Sequence, residues 1–418
     1  MTTIAVIGAG IVGLSVSHAL RARGHSVRLV DPEPPGEGTS FGNAGLVANY
    51  ATAPMASLET LRQLPAMLAR RDRSIAIDPG YTPALANFGW RFLRAARPAS
   101  FARHKADLVR LIDQAIAGQH ALLDELDELG GEALYRANGC LQVVRDGSCS
   151  ASALEAKAAT KRADGVACEA LAPADVRGLE PEVSTEGLGG ALYFPETRSL
   201  RDPLSLSRRL YRALEGDGFT HVAARVEALA PLATGGWRLQ AGETRLDVER
   251  VVLCAGIANN GLLQALGIRL PVVSERGYHV MLETPLALSR PVGWLTHHFY
   301  ATPMQEGVRL AGTTEFCPPG KAPNARRWSR LADWGATLFG RPVEVAHEWV
   351  GVRHSTPDGL PVIGQVPGHP GLIVAYGHGH LGLTLSAETG RLVAGLVAGE
   401  QLPNHARALS PQRFLGHR

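Results

Sequence analysis

The sequence predicts an α/β protein in which a doubly wound, dinucleotide-binding layer is interleaved with a second domain built on an antiparallel sheet. Two observations carry this. The first is an N-terminal strand–turn–helix–strand unit, with Ile4-Ala5-Val6-Ile7 feeding Gly8-Ala9-Gly10-Ile11-Val12-Gly13 and a second apolar run ending in Asp31. The second is a matching strand–turn–helix at the far end, where residues 372–375 lead through Tyr376-Gly377-His378-Gly379-His380-Leu381-Gly382 into a helix over 383–397.

In the first unit each glycine has a task. Gly8 permits the tight turn, Gly10 lets a phosphate approach the backbone, and Gly13 lets helix and strand pack closely, with the helix N-terminus at Ile11 and Val12 facing the anion. Asp31 stands where an acid accepts hydrogen bonds from ribose hydroxyls, which argues against a phosphorylated ribose. Between the two ends, small residues over 36–48 form a loop and 54–129 reads as helical. Strands are expected at 139–144 and 191–194, and helices at 151–163 and 203–214. A hairpin follows over 222–241, with further strands at 250–254, 272–283 and 308–314 and a helix at 324–338. Residues 1–50, 150–265 and 345–418 are therefore assigned to the cofactor domain, and 51–149 with 266–344 to the substrate domain.

Bulk properties exclude several classes. A chain of 418 residues exceeds one hydrophobic core, and no apolar run nears the roughly 20 residues of a bilayer span. The first apolar run is a strand flanked by Thr and Gly, not a signal peptide. A net charge of +3 points away from nucleic acid. Positive charge is nevertheless concentrated over 88–110, where Arg91, Arg94, Arg97, Arg103, Lys105 and Arg110 alternate with Trp90, Phe92 and Leu93. This is either a solvated helix face or a peripheral contact with the inner face of the cell membrane. Five cysteines without CxxC spacing give neither a disulfide framework nor a metal site and fit a reducing cytoplasm. The hydrolase and phosphatase signatures GxSxG, HExxH and the Walker lysine are missing.

Four residues invite chemistry. Arg353 ends an apolar strand before a Pro/Gly turn, and its guanidinium forms a fork that matches a carboxylate; a structural salt bridge, to Glu348 or Asp358 for example, is the alternative. Tyr278 and Tyr300 are expected to help hold the same carboxylate, and His380 to exchange a proton. One pyrophosphate cradle leaves the second helix N-terminus, at Gly382-Leu383-Thr384, free for another task. It suits the edge of a flavin that gains negative charge on reduction.

In this order the motifs resemble the D-amino-acid oxidase superfamily of FAD-dependent oxidoreductases, nearest to bacterial D-amino-acid and D-hydroxyproline dehydrogenases. The carriers are the Gly8–Gly13 turn with Asp31, the loop Thr39-Ser40-Phe41-Gly42-Asn43-Ala44-Gly45, Gly277-Tyr278, the segment 351–364 and the segment 376–382. The resemblance implies FAD rather than NAD. It also implies that Ser40, Asn43, Ala44, Gly45 and Leu46 run beside pyrophosphate and flavin, that Val226 contacts adenine through its backbone, and that Ala255 and Gly256 lie near the ribityl chain. Gly379, His380, Leu381, Gly382, Leu383 and Thr384 would meet the flavin. The implied reaction is hydride transfer from the Cα–H of a D-amino acid to flavin N5, with Arg353 and Tyr278 on the substrate carboxylate and an imine or 2-oxo acid as product. Cyclic imino acids of the proline type and glycine- or sarcosine-like amines are the alternatives, and a quinone, an electron-transfer protein or O2 is the electron acceptor. Relatives with covalent flavin carry a cysteine near position 351 or a histidine in the N-terminal loop. This chain has Gly351 and Asn43-Ala44-Gly45, so non-covalent FAD is expected.

Overall fold

The computed structural model describes residues 2–69, 74–145, 147 and 149–415. A six-stranded sheet runs in the order Phe219–Val222, Ser26–Val30, Thr3–Ile7, Arg250–Leu253, Leu372–Tyr376, Val362–Gln365; the first five are parallel and the last is antiparallel. Its central strands are apolar at successive positions because both faces are covered. Ile4 and Val6 pack with helices Ile11–Ala22, Pro98–Glu128 and Ser386–Val397, while Ala5 and Ile7 pack with the antiparallel meander Val226–Pro231, Trp237–Ala241, Thr244–Val248.

The second layer is a nine-stranded mixed sheet. Val345–Ser355, Val273–Leu282, Gly307–Phe316, Phe299–Met304, Val292–Trp294, Cys140–Arg145, Leu188–Phe194 and Glu169–Leu171 follow in that order, with Ile75–Ile77 beside Gly307–Phe316. Helix Arg326–Phe339 packs Leu331, Trp334 and Leu338 against Tyr278, Val280 and Leu310 on one face of it.

The interleaved α/β architecture is as expected, but the domain boundaries shift. Strands Glu169–Leu171, Leu188–Phe194 and Val345–Ser355, assigned above to the cofactor domain, join the large sheet. Helix Pro98–Glu128, assigned to the substrate domain, buries Leu108, Leu111, Ile112 and Leu123 in the core of the cofactor layer. Residues 54–129 are not one helical stretch. Strand Ile75–Ile77 separates helix Leu58–Ala69 from helix Thr82–Ala95, residues 96–97 separate that helix from Pro98–Glu128, and prolines at 83 and 98 open the second and third. Part of that expectation, at 70–73, lies outside the described residues. The C-terminal helix begins at Ser386 rather than 383, because 381–385 form a separate turn closed by Leu385 N–H on the Leu381 carbonyl at 2.9 Å. No helix among the described residues is long and apolar enough to cross a membrane.

Helices Ile11–Ala22 and Ser386–Val397 cross at backbone contact: a Cβ on Gly390 would stand 2.5 Å from the Ser15 carbonyl oxygen. Glycine inside a helix is intrinsically unfavourable, so its place here is steric. Gly390→Ala gains about 1 kcal/mol of helix propensity and loses about 2–3 kcal/mol to overpacking, a net destabilisation of about 1–2 kcal/mol. A lowered urea midpoint at unchanged slope checks this; a raised midpoint contradicts it.

Candidate active site

The N-terminal turn is shaped by steric exclusion. Gly8 has φ +109°, and a Cβ there would lie 2.6 Å from the Cys254 carbonyl; a Cβ on Gly13 would lie 1.8 Å from the Gly8 oxygen. Helix Ile11–Ala22 carries no acid in its first turn and no side-chain cap from Gly10, so no charge of its own compensates its positive pole. The Ser40 hydroxyl accepts the Ile11 N–H at 2.9 Å and sits where an anion oxygen would. Asp31 accepts the Ala9 N–H at 2.7 Å and the Glu33 N–H at 2.9 Å, which fixes its carboxylate at the end of its strand. From here a cleft of about 680 Å³ runs past Gly8, Gly10, Ile11, Val12, Asp31 and Ser40 to Val226, Ala255 and Gly256, ending at His354 and His378. Cys254 also reaches it; burial pushes its thiol pKa up, so it is a small apolar group.

The loop after Ser40 is pinned from both domains. Asn43 donates to the Ser40 carbonyl and accepts the Gly45 N–H, each at 2.6 Å, Ala44 packs on the core, and Leu46–Val47 pairs with Arg198–Leu200. Across the domain boundary, Arg309 donates to the carbonyls of Phe41 at 2.9 Å and Asn43 at 2.8 Å, and the His279 ring meets the Gly42 carbonyl at 3.1 Å. The Trp349 ring leaves no room for a Cβ at Gly42 or Gly351.

At the far end, Gly377 donates its N–H to His354 Nδ1 and Gly379 donates to the His354 carbonyl, both at 2.9 Å. Thr384 is fully buried and accepts the Ala48 N–H at 2.9 Å, while Leu381 and Leu383 face the core. The backbone N–H groups of Gly382, Leu383 and Thr384 have no partner among the described residues. His378 holds Thr389 Oγ1 at 3.0 Å through Nε2; since that hydroxyl donates to Leu385, Nε2 carries the proton and Nδ1 is a buried acceptor without a partner. His380 instead is open to a second, smaller chamber of about 210 Å³, whose wall also includes Glu275, Ser355 and Gly379, and otherwise mainly apolar side chains such as Leu64, Ile75, Leu85, Phe88, Phe92 and Phe316. Desolvation by the surrounding protein lowers the His380 pKa, with Glu275 opposing and Arg353 adding to the effect.

Arg353 is opposite Glu275 in the register of the two antiparallel strands. Its guanidinium lies across Gly277, where a Cβ would be 2.9 Å from Cζ, and its Nη2 meets Glu275 Oε1 at 3.1 Å. The same nitrogen reaches the Thr313 carbonyl and Thr314 Oγ1, each at 3.1 Å. Neither Glu348 nor Asp358 is its partner; Asp358 pairs with Arg413. Burial pushes the Glu275 pKa up, but Arg353, the Ser355 hydroxyl and His380 together outweigh it and hold the carboxyl below its usual range.

Both tyrosines correct the expectation. Tyr278 is one residue out of phase with Glu275 and Gly277, so its ring enters the core under helix Arg326–Phe339, and its hydroxyl donates to Glu315 at 2.5 Å. It stands on the opposite face from Arg353. Tyr300 packs beside Tyr50 and accepts from Gln142 at 2.6 Å. Glu275, His354 and Arg309 were missed. The one available signal was the period of two along 273–282, which puts Glu275, Gly277 and His279 on a common face.

The fold and site define a dinucleotide-dependent oxidoreductase: a pyrophosphate cradle, a long cleft, and a second helix N-terminus beside a chamber with a charged end. The chain belongs to the FAD dependent oxidoreductase family called DAO, whose family model matches residues 3–396. It is 30% identical to a D-amino-acid oxidase of Bradyrhizobium diazoefficiens, covering 99% of both chains, and 32% identical to D-amino acid dehydrogenase 2 of Ralstonia nicotianae, covering 94% and 96%. In fold it is similar to glycine oxidase from Geobacillus kaustophilus (TM-score 0.76, 22% identity, all of both chains) and to L-proline dehydrogenase from P. horikoshii (TM-score 0.74, 16% identity, 99% and 98%). The chain is thus an FAD-dependent enzyme. Its residues fit that cofactor: the cradle excludes side chains, the unpaired N–H groups of 382–384 await an acceptor, and the buried His378 Nδ1 lacks a donor.

Two buried histidines set an acid limit on stability. Burial, with Arg309 adding to it, pushes His279 down to about 3; burial, with His354 adding to it, pushes His378 down to about 3. The unfolded chain binds these protons near pH 6.5 while the fold refuses them. Stability is therefore full above pH 6.5 and falls by about 1.4 kcal/mol per pH unit for each histidine below it. Urea denaturation between pH 7 and 4.5 reads this slope, and His378→Asn reduces it by one proton; an unchanged slope contradicts the assignment.

Proposed function

We propose that the chain oxidises the Cα–N bond of a D-amino acid, with Arg353, the ion-pair partner of the chamber residue Glu275, binding the substrate carboxylate and FAD held non-covalently in the long cleft. The observation that carries this is Nη1 of Arg353, which has no partner among the described residues, while Nη2 is engaged by protein acceptors and holds the guanidinium in place. Bound FAD supplies the hydride acceptor. The protein's part is to orient and to move a proton: Arg353 fixes the carboxylate, and His380, kept neutral, is placed to take the proton the amine must lose. The names of the relatives support the D configuration. The apolar chamber favours a substrate with a side chain over glycine- or sarcosine-like amines. No cysteine stands at 351 and no histidine at 43–45, and the Cys254 thiol stays protonated, which supports non-covalent flavin.

A peripheral membrane contact is supported by a narrower surface than 88–110. Arg91 is tied to Asn87 and the Phe414 carbonyl, Lys105 to Asp164 and Arg110 to Asp107. Helix Thr82–Ala95 buries Ala95 alone, and Trp90 (58% exposed) and Leu93 (51%) stand out near Arg94 and Arg97. This surface fits an anionic lipid leaflet and a lipid-borne quinone as electron acceptor. Sedimentation with phosphatidylglycerol vesicles tests it: Trp90→Ser weakens binding several-fold, and equal recovery on neutral vesicles refutes it.

Removing the guanidinium costs a charge-assisted carboxylate contact of about 3 kcal/mol, roughly a hundredfold in affinity. Arg353→Met is therefore expected to raise KM for D-amino acids about a hundredfold, measured as dye reduction by the FAD-loaded enzyme. An unchanged KM, or flavin that no D-amino acid bleaches without oxygen, overturns the reading.

A further inference from the structure

We propose that Glu275 binds the substrate amine, so that the Glu275–Arg353 pair is the internal counterpart of an amino-acid zwitterion. The proposal rests on the reading of Arg353 as carboxylate anchor and extends it to the other half of the substrate's charge.

The placement of Glu275 needs a reason. It is 7% exposed on the wall of a chamber that is otherwise mainly apolar, and burying a carboxylate there is costly without partners. Its partners are all on the site's own strands: Arg353 Nη2 at 3.1 Å and the hydroxyls of Thr314 and Ser355. Thr314 and Ser355 are hydroxyls that remain when a ligand enters; Arg353 is its ion-pair partner.

The pair is also made in an unusual way. It is end-on, through one nitrogen that is shared with the carbonyls of Thr313 and Arg276, and not the two-nitrogen fork that arginine and carboxylate adopt at full strength. Thr313 holds its carbonyl on that nitrogen from a left-handed conformation, φ 56°, costly for a β-branched residue, with its own hydroxyl buried and unpaired. The guanidinium is thus positioned by the backbone, and does not depend on Glu275 for its place.

A zwitterion satisfies both groups at once: its carboxylate takes the Nη1 donor of Arg353 and its ammonium takes Glu275. Charge is exchanged for charge, and no buried ion is left alone. A carboxylate without an amine puts two anions together beside one cation, and an amine without a carboxylate does the reverse. The pair therefore rejects half-substrates through repulsion. Because Glu275 is held ionised, it orients the amine and leaves proton acceptance to His380.

The test compares Glu275→Gln with wild type, both loaded with FAD. KM for a D-amino acid should rise at least tenfold. The dissociation constant of a simple monocarboxylate without an amine, read from the flavin absorption spectrum, should fall at least tenfold because the competing anion is gone. A merely structural role for Glu275 weakens both ligands in parallel, and that result overturns the proposal. If Glu275→Gln fails to retain FAD, Glu275→Asp decides: the shortened carboxylate should move the two ligands several-fold in opposite directions, and parallel movement refutes the assignment. Should neither ligand perturb the wild-type flavin, it is the amino-acid reading itself that fails, and Arg353→Met shows this independently.

Discussion

Everything in this fold that concerns the cofactor depends on one close approach, the crossing of helices Ile11–Ala22 and Ser386–Val397 at Gly390 and Ser15. The residues that join them are separated by almost the whole chain, yet a single missing Cβ lets their backbones touch. The first helix begins at a glycine turn following a parallel strand and the second follows such a strand through the glycine turn and the separate turn 381–385, and those strands lie in one sheet with Arg250–Leu253 between them. Locking the helices together therefore fixes two positive helix ends along one edge of the sheet, at the carboxyl ends of its strands, where open α/β sheets bind their ligands.

The large sheet supplies the other half of the site and is tied to the first by charge. Arg309, 4% exposed and without a carboxylate partner among the described residues, spends its donors on the loop carbonyls of Phe41 and Asn43. Arg353 then meets Glu275, which lines the chamber, in regular cross-strand register, while the register of Val273–Leu282 against Gly307–Phe316 is broken near Thr313. The site thus concentrates what the rest of the protein avoids: buried charge, unpaired polar atoms and a strained backbone. Such a concentration is the physical mark of a place kept for a ligand.

Much of this was legible in the sequence because it is local. The Gly8–Gly13 turn, Asp31, the loop at 40–46 and the 376–382 turn are short-range patterns whose chemistry is set by adjacent residues. Arg353 was legible as a cation with no reason to be in a core. What failed was long-range. Tyr278 was placed with Arg353 as a hydroxyl expected on the same inner face of a sheet, but a strand alternates faces, and nothing local says which face meets which partner. Glu275 went unread for the same reason: its meaning comes from a cross-strand neighbour 78 positions later. The domain boundaries failed at Leu188–Phe194 and Val345–Ser355, since an apolar strand does not carry the name of its sheet.

The central claim is that one dinucleotide is held between the two helix ends, with its phosphates at Ile11 and its flavin at 382–384. A crystal structure of the FAD-loaded protein tests this most directly. It should show pyrophosphate oxygens within hydrogen-bond reach of the Ile11 and Val12 N–H groups, the Ser40 hydroxyl turned to meet them, and the flavin's pyrimidine carbonyl edge on the N–H groups of Gly382, Leu383 and Thr384. A flavin ring lying elsewhere, with those three N–H groups still without an acceptor, would contradict the account.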